Sequence, residues 1–200
     1  MYCCFFDVDG VLLDFEGGFT NTVKDYFKLE LPKDFVSKSF WFEDILTKEQ
    51  VMEGWDYFLH STEFEKLKPI IDPEQFNNVF GAYPVHFITN IPLDCLERRE
   101  KNLRNVGFKF NSAHCAGFIE YDGYSKKTKA EIIQELHQEG KKVMFVDDHP
   151  DNCLNVWENF PKAEIWLMTR PFNYDFIHPK IRRPRNWNEI LEHTSKAANS

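Results

Sequence analysis

The sequence predicts an α/β protein with a doubly wound parallel sheet and a small helical cap inserted after the first strand. Short apolar runs rich in Phe, Val and Ile alternate with amphipathic helices, which is typical of a parallel sheet covered on both faces. A helical stretch interrupts that alternation after the first run. We therefore expect an α/β core of residues 1–14 and 81–193, a helical cap of residues 15–80 and a disordered tail of residues 194–200.

The core elements follow from apolar periodicity. Four runs are predicted to be buried strands: residues 2–6, 85–89, 142–146 and 164–168. Between the later strands, apolar residues at helical spacing indicate one helix that ends at Gly107 and another that ends at Gly140. A short helix is expected over residues 187–193.

Three helices are expected in the cap. The first carries apolar residues at helical spacing and ends before Pro32. The second begins with a capping box formed by Thr47 and Gln50. The third begins after Asp72, where a proline occupies the first helical position, and ends near Gly81.

Composition argues against several classes of function. The chain has 200 residues, is 42% hydrophobic and has a net charge of -8, which disfavours binding to a nucleic acid polymer or an anionic membrane. Its five cysteines show no C-x-x-C spacing, which favours reduced thiols and a cytoplasmic location. The first apolar run lacks a basic leader and stops at Asp7, so it predicts neither a signal peptide nor a membrane span.

The most informative motif directly follows the first predicted strand. Because side chains alternate in extended chain, Asp7 and Asp9 leave on one side while Val8 points toward the core. Gly10 then permits a sharp exit and a close approach of the backbone to a ligand. One carboxylate can attack an electrophile while the other transfers protons. An Asp-Gly turn after a core strand is the structural alternative.

Two further polar pairs end predicted strands, where open α/β sheets bind their ligands. Thr89 and Asn90 end the second strand and can hydrogen-bond phosphate oxygens, although a turn or helix cap explains them equally well. Asp147 and Asp148 end the third. Adjacent like charges are costly unless they share a cation, so this pair favours a divalent metal.

A lysine-rich helix start precedes the third strand. Lys126, Lys127 and Lys129 are each candidates to neutralise a nucleophile and a phosphoryl group, and a solvated helix end is the alternative.

With these motifs in the order Asp-x-Asp, Thr, Lys and Asp-Asp, the chain resembles the haloacid dehalogenase (HAD) superfamily of phosphohydrolases over residues 5 to about 170. The resemblance implies a HAD-like Rossmannoid core with the helical cap between the first two motifs. It also implies a Mg²⁺-dependent phosphomonoesterase that works through an aspartyl phosphate.

The resemblance assigns a role to each motif residue. Asp7 would be the nucleophile and Asp9 the general acid and base, with Thr89 and Lys129 completing the catalytic set. Mg²⁺ would be bound by Asp7, the backbone carbonyl of Asp9 and Asp148.

Other positions support this set. Asp147 and Asn152 are expected behind the metal ligands, where they orient them. Lys129 stands at the superfamily's usual spacing before an apolar helix face and is favoured as the site lysine; Lys126 and Lys127 remain alternatives.

A narrower resemblance concerns the substrate. Residues 14–19 (DFEGGF), the Phe40-Trp41 pair and residues 186–191 (NWNEIL) look like the 5'(3')-deoxyribonucleotidase family. That family places its lysine in an Arg-Asp-Lys-type turn, from which this chain departs. The resemblance implies a nucleoside monophosphate, with Trp41 and Phe42 against the base and Asn90 also binding substrate. Cap core is the alternative role of the aromatic residues.

Three other functions are alternatives to this one. A phosphate-accepting receiver domain is disfavoured because its acidic pair comes early in the chain, whereas here it comes late. Haloacid dehalogenation is disfavoured because it does not need the second aspartate, which is present as Asp9. A catalytically silent relative that binds a partner through its cap is the third, and within phosphatases the substrate alternative is another small phosphorylated metabolite.

Overall fold

A parallel sheet forms the centre of the protein, which was obtained as a computed structural model that describes residues 1–117 and 123–198. The strands of this sheet are β1 (Tyr2–Phe6), β2 (Val85–Thr89), β3 (Ser112–Cys115), β4 (Lys142–Asp147), β5 (Glu164–Leu167) and β6 (Ile181–Arg182). Their order is β3-β2-β1-β4-β5-β6, and every neighbouring pair is parallel. The predicted doubly wound fold is confirmed.

Helices follow the strands on both sheet faces. They are α1 (Phe15–Phe27), α2 (Lys48–His60), α3 (Pro73–Phe80), α4 (Leu96–Val106), α5 (Lys129–Leu136), α6 (Pro150–Asn159) and α7 (Trp187–Ala198). The predicted capping box at Thr47 and Gln50 begins α2. α5 ends at Leu136, four residues before the predicted stop at Gly140.

Strand β1 lies in the middle of the sheet, between β2 and β4, and all five of its residues are buried. Successive side chains enter two separate hydrophobic clusters: Phe6 belongs to the cluster on one face, and Phe5 to the cluster on the other. The chain builds β2 and β3 on one side of β1 and β4 to β6 on the other. The carboxyl ends of β1 and β4 therefore meet where the strand order reverses, which is the usual ligand site of such sheets.

Two strands were not predicted. β3 (SAHC) and β6 (IR) lie at the two edges of the sheet, and they are short and partly polar. Apolar periodicity cannot identify runs of this length and composition. Backbone pairing with β2 and with β5 determines their conformation.

Helix α3 differs from its predicted place in the cap. Its Phe76 and Phe80 rings pack against Phe6 of β1, with centroids 5.0 and 4.9 Å away. By these contacts α3 belongs to the core, because its apolar face covers the sheet. The helices α1 and α2 instead pack against each other, through aromatic residues such as Phe19 and Phe58 at 5.6 Å. These contacts indicate a boundary between cap and core before α3, which is earlier in the chain than the predicted division at residue 80.

The end of the chain also differs from the prediction. Residues 194 to 198, assigned to a disordered tail, continue α7. Thr194 is fully buried, and its hydroxyl donates to the Ile190 carbonyl at 2.9 Å. At the other end of α7, the Trp187 indole donates to the Val11 carbonyl at 3.0 Å. The helix is therefore fixed by burial of one face.

All five cysteines are buried free thiols. Among the helices that the structure describes, none combines the length and the apolar character needed to cross a membrane.

Candidate active site

Three buried aspartates meet at the carboxyl ends of β1 and β4. Asp7 directly follows β1, and its backbone N–H donates to the Val146 carbonyl at 2.8 Å, which extends the pairing of the two strands. Asp147 ends β4 and Asp148 follows it. One carboxylate oxygen from each of the three lies within 4.8 Å of the others. The two motifs, far apart in sequence, thus form one acidic cluster.

Gly10 lets the loop after β1 pass against this cluster. Its φ is +80°, and a Cβ there would lie 2.1 Å from Asp148 Oδ2. A side chain at this position would therefore suffer both backbone strain and a clash with the carboxylate. The predicted close approach of backbone at Gly10 serves Asp148.

Lys129 is the lysine that enters the cluster. Its Nζ lies 2.7 Å from Asp7 Oδ1 and 2.7 Å from Asp147 Oδ2, and the side chain is buried. Thr128 caps α5, so Lys129 is the first helical residue and points toward the strand ends. Lys127 instead pairs with Glu135 at 2.6 Å on the surface, and Lys126 is exposed.

Asp147 and Asp148 have different surroundings. Both oxygens of Asp147 accept hydrogen bonds: from Lys129, from the His149 backbone N–H at 2.7 Å, and from Asn152 Nδ2 at 3.2 and 3.3 Å. Asp148 Oδ2 has the Arg170 guanidinium 3.8 Å away. Asp147 is therefore suited to orient its neighbours, whereas Asp148 is suited to bind a cation.

Asp9 lies beside the buried cluster, on the side of the cleft. The Thr89 hydroxyl donates to Asp9 Oδ2 at 3.2 Å. Arg99 Nη2 lies 3.0 Å from Asp9 Oδ1 and forms an ion pair with it. The Asp9 side chain is 15% exposed. Asp9 thus has support from the core and access to solvent, which a group that exchanges protons requires.

The electrostatics of the cluster favour a cation. Burial raises the pKa of Asp7 well above its usual range, although Lys129 opposes the shift. Burial and the neighbouring Asp147 raise the pKa of Asp148 to about 7. Burial also opposes the charge on Lys129, but Asp147 and Asp7 outweigh it and raise the pKa of Lys129. One ammonium cannot balance three carboxylates, so the donor set fits a divalent metal such as Mg²⁺.

A cleft of about 710 Å³ lies over the cluster, between the core and α1 and α2. Much of its wall is aromatic, formed by Phe15, Phe19, Phe40, Trp41, Phe42, Trp55 and Phe172. Thr89 and Asn90 also line it, as the sequence predicts.

The predicted base-binding aromatics differ in exposure. Trp41 is 47% exposed at the wall of the cleft. Phe42 is 5% exposed and packs against Phe19 at 4.7 Å, so most of its ring belongs to the cap core. Phe40 contacts His149 and Phe172, at 4.6 and 5.2 Å, and thereby joins the loop before α2 to the core.

Two arginines of the site were not predicted. Arg170 donates to the Gly10 carbonyl and comes three residues after β5 ends, so the rule that ligand groups follow strand ends would have found it. Arg99 lies in α4 between Leu96 and Leu103, at spacings that place all three on one helix face. A charged residue within an apolar stripe is the signal that would have identified it.

The fold was compared with known proteins. No protein-family model matches the sequence, and no curated protein matches it. Among solved structures, a haloacid dehalogenase-like family hydrolase from Streptococcus pneumoniae has a TM-score of 0.63 at 16% identity, covering 96% of this chain and 98% of that one. A protein described as a predicted phosphoglycolate phosphatase, from Haemophilus somnus, has a TM-score of 0.61 at 14% identity, covering 97% and 98%.

The HAD-hydrolase YfnB from Bacillus subtilis, bound to magnesium, has a TM-score of 0.58 at 14% identity, covering 96% of this chain and 98% of that one. These matches extend over nearly the whole chain at low identity, so what they establish is the architecture. Together with the sheet order, they show that the chain has the fold of the haloacid dehalogenase-like hydrolases.

Proposed function

We propose that the protein is a Mg²⁺-dependent phosphomonoesterase in which Asp7 forms an aspartyl phosphate. One observation supports this most directly: a buried carboxylate, Asp7, lies 2.7 Å from the Lys129 ammonium at the base of a cleft, with Asp9 beside it on the cleft side. A nucleophile next to a proton-transferring group and a charge-stabilising cation is the set that covalent phosphoryl transfer requires.

The residues divide the reaction into two steps. In the first, an Asp7 oxygen attacks phosphorus, the bond from phosphorus to the ester oxygen breaks, and Asp9 gives its proton to the departing alkoxide. In the second, Asp9 takes a proton from a water molecule, which attacks the phosphorus of the aspartyl phosphate; the bond from phosphorus to the Asp7 oxygen breaks, which releases inorganic phosphate and restores the Asp7 carboxylate. Lys129 stays charged throughout and holds Asp7 in position.

The metal's part is limited to charge. Mg²⁺ bound by Asp7, Asp148 and the Asp9 carbonyl would reduce the repulsion between the carboxylates and the phosphate and would stabilise charge on the phosphoryl oxygens. The magnesium in YfnB is consistent with such a site on this fold. Asp147, which is already bound to Lys129 and Asn152, would orient this set without ligating the metal.

Hydrolysis of a carbon–halogen bond is the alternative chemistry suggested by the name of the fold. Asp9 argues against it, because the Thr89 hydroxyl donates to this carboxylate, Arg99 forms an ion pair with it, and a dehalogenase has no alkoxide to protonate.

For the substrate we propose a nucleoside monophosphate, with another small phosphate ester that has an apolar group as the alternative. The aromatic wall suits a flat base, and the cleft is large enough for one. Among the described lysines and arginines, Lys129 and Arg170 line the cleft, and both already contact carboxylate or carbonyl oxygens. A second anionic group on the substrate would lack a cation there. This disfavours phosphoglycolate, the compound for which the Haemophilus somnus protein is named.

A panel assay tests the proposal. Phosphate release would be measured with nucleoside monophosphates, p-nitrophenyl phosphate and phosphoglycolate, with Mg²⁺ or with a chelator, and chloride release from chloroacetate would be followed in parallel. We expect Mg²⁺-dependent hydrolysis of the first two substrate types, and slower hydrolysis of phosphoglycolate. Chloride release without phosphate release would favour dehalogenation, and inactivity on the whole panel would favour a silent binding protein.

The two adjacent aspartates should differ in metal binding. We expect Asp148→Asn to weaken Mg²⁺ binding by more than about a hundredfold, and Asp147→Asn by roughly ten- to a hundredfold, because a direct ligand contributes more than a residue that orients it. Mg²⁺ titration of activity and of melting temperature would measure both variants. The reverse order would mean that Asp147 is the ligand.

Trp41 should contribute to nucleotide binding. A base stacked on an aromatic side chain gains about 1 to 3 kcal/mol. We therefore expect Trp41→Ala to lower kcat/KM for the preferred nucleoside monophosphate by roughly five- to a hundredfold and to leave p-nitrophenyl phosphate almost unchanged.

Tyr57→Ala is the matched control for this variant. Tyr57 is a 45% exposed aromatic residue of α2 that stacks on Tyr26 at 4.2 Å and does not line the cleft. We expect it to leave the preference between the two substrates unchanged. Equal losses on both substrates for Trp41→Ala would remove the support for a nucleotide while leaving the phosphatase chemistry intact.

A further inference from the structure

We infer that Arg99 is a positioning residue, which holds the Asp9 carboxylate for proton transfer and links it to the base of the cap. The inference rests on the proposed function, since it assigns Arg99 a part in the same reaction. Arg99 does not line the cleft, so it would act through Asp9 rather than on the substrate.

The Arg99 guanidinium has two sets of partners. Its side chain is fully buried, and Nη2 lies 3.0 Å from Asp9 Oδ1. Nη1 donates to the Phe64 carbonyl at 2.6 Å and to Asn102 Oδ1 at 3.1 Å. The guanidinium carbon also lies 3.8 Å from the centre of the Phe64 ring. One planar group therefore contacts Asp9 on one side and the segment after α2 on the other.

That segment is the return connection from the cap. Asn102, one turn along α4 from Arg99, donates from Nδ2 to the Leu67 carbonyl at 3.1 Å. The next residue in that segment is Lys68, and its carbonyl accepts the Asp14 N–H at 2.8 Å. The connection that returns from the cap is therefore paired with the connection that leads into the cap. The face of α4 that contains Arg99 thus fixes the place where both connections leave the core.

Thr89 and Arg99 together hold both Asp9 oxygens. The Thr89 hydroxyl donates to Oδ2, and Arg99 lies beside Oδ1. An apolar residue on this helix face, between Leu96 and Leu103, would satisfy core packing without the cost of burying a charge. The arginine is explained by its oxygen partners on two sides, Asp9 on one side and the Phe64 carbonyl with Asn102 Oδ1 on the other, which one planar guanidinium can reach at once.

This role predicts an effect that depends on the leaving group. A p-nitrophenolate is a stabilised anion and departs without a proton, whereas the alkoxide of a nucleoside needs one from Asp9. The value of kcat/KM reports the steps through formation of the aspartyl phosphate. We therefore expect Arg99→Met to lower kcat/KM for a nucleoside 5'-monophosphate at least about tenfold more than for p-nitrophenyl phosphate.

Arg98→Met is the matched control. Arg98 is the neighbouring arginine of α4; it donates to Glu65 at 2.6 Å and to the Ser61 carbonyl at 2.8 Å, and so holds the same cap connection without touching Asp9. We expect it to lower the melting temperature and to leave the ratio of the two kcat/KM values unchanged. Arg99→Lys keeps a cation beside Asp9. Its ratio of kcat/KM for the nucleoside monophosphate to kcat/KM for p-nitrophenyl phosphate should therefore lie between those of Arg99→Met and the wild type.

The outcomes separate the two proposals. Equal losses on both esters in Arg99→Met, or the same change of ratio in Arg98→Met, would overturn the assignment of Arg99 while the phosphatase activity of the wild type stands. Inactivity of the wild type on both esters would overturn the proposed function, and this assignment with it. If Arg99→Met does not fold, Arg99→Lys decides: a ratio equal to that of the wild type, together with reduced kcat/KM on both esters, contradicts the assignment, and a ratio lowered severalfold supports it.

Discussion

Asp7→Asn should abolish turnover and leave the fold intact. An amide has nearly the shape of the carboxylate but is a poor nucleophile, and loss of an essential covalent catalyst typically costs several orders of magnitude in rate. Lys129 would keep its second partner, Asp147, at 2.7 Å. Phosphate release by the purified variant is the measurement, and a rate close to that of the wild type would exclude Asp7 as the nucleophile.

The melting temperature of Asp7→Asn is the control that shows whether the variant is folded. Burial raises the pKa of Asp7, which means that the folded protein disfavours the ionised carboxylate relative to the unfolded chain. At neutral pH the charge on Asp7 therefore costs stability, and a neutral isostere removes that cost. We expect the melting temperature of Asp7→Asn in metal-free buffer to equal or exceed that of the wild type. An inactive variant whose melting temperature lies below the assay temperature would be unfolded in the assay, and its inactivity would say nothing about the mechanism.

The second large effect is expected at Asp9. Asp9→Asn should retain the nucleophile but lose the proton transfer, which corresponds to a decrease of roughly a hundredfold to ten-thousandfold in rate. Because the same residue activates the water of the second step, the aspartyl phosphate should accumulate in this variant when the substrate is p-nitrophenyl phosphate, whose leaving group needs no proton in the first step. Single-turnover kinetics would measure the two steps separately. A loss of less than about threefold in both steps would show that another group transfers the proton.

Much of the acidic cluster and its lysine could be predicted because these residues stand at strand ends and at a helix start. Asp7 and Asp148 follow strands with clear apolar runs, so the parallel sheet alone brings them to one edge. The sequence leaves the choice among Lys126, Lys127 and Lys129 open, since one residue of error at a helix start turns a side chain by about 100°. In the structure, the Thr128 cap makes Lys129 the first residue of α5, and Lys129 is the lysine that contacts the acidic cluster.

Contacts between segments far apart in the sequence cannot be predicted from strand ends and helix starts. The ion pair of Arg99 with Asp9 joins residues 90 positions apart, and nothing near Asp9 in the sequence indicates it. Helix α3 is predicted from its start and stop signals, but these do not say which surface the helix covers, and its partner in the structure is the sheet rather than the cap. The conformation of the short edge strands β3 and β6 depends on pairing with β2 and β5 rather than on their own sequence.

The stretches that resemble the deoxyribonucleotidase family have structural roles in this chain. Trp187, in the NWNEIL stretch, packs against Phe6 and donates to the carbonyl of Val11, so it supports the loop after β1. In the DFEGGF stretch, Asp14 caps α1 by accepting the N–H of Gly17 at 3.0 Å. These roles explain the residues without reference to a base, which is why the nucleotide proposal depends on Trp41 and the aromatic wall.

The central claim, a phosphoryl group carried by Asp7, can be tested by trapping it. Asp9→Asn would be mixed with Mg²⁺ and p-nitrophenyl phosphate, whose leaving group departs without a proton, then quenched in acid, reduced with borohydride and digested for mass spectrometry. Reduction converts an aspartyl phosphate to homoserine, and we expect this change at Asp7, dependent on both substrate and Mg²⁺ and absent from an Asp7→Asn control. Phosphate release by the wild type without any such modification at Asp7, or with the modification at a different residue, would contradict the account.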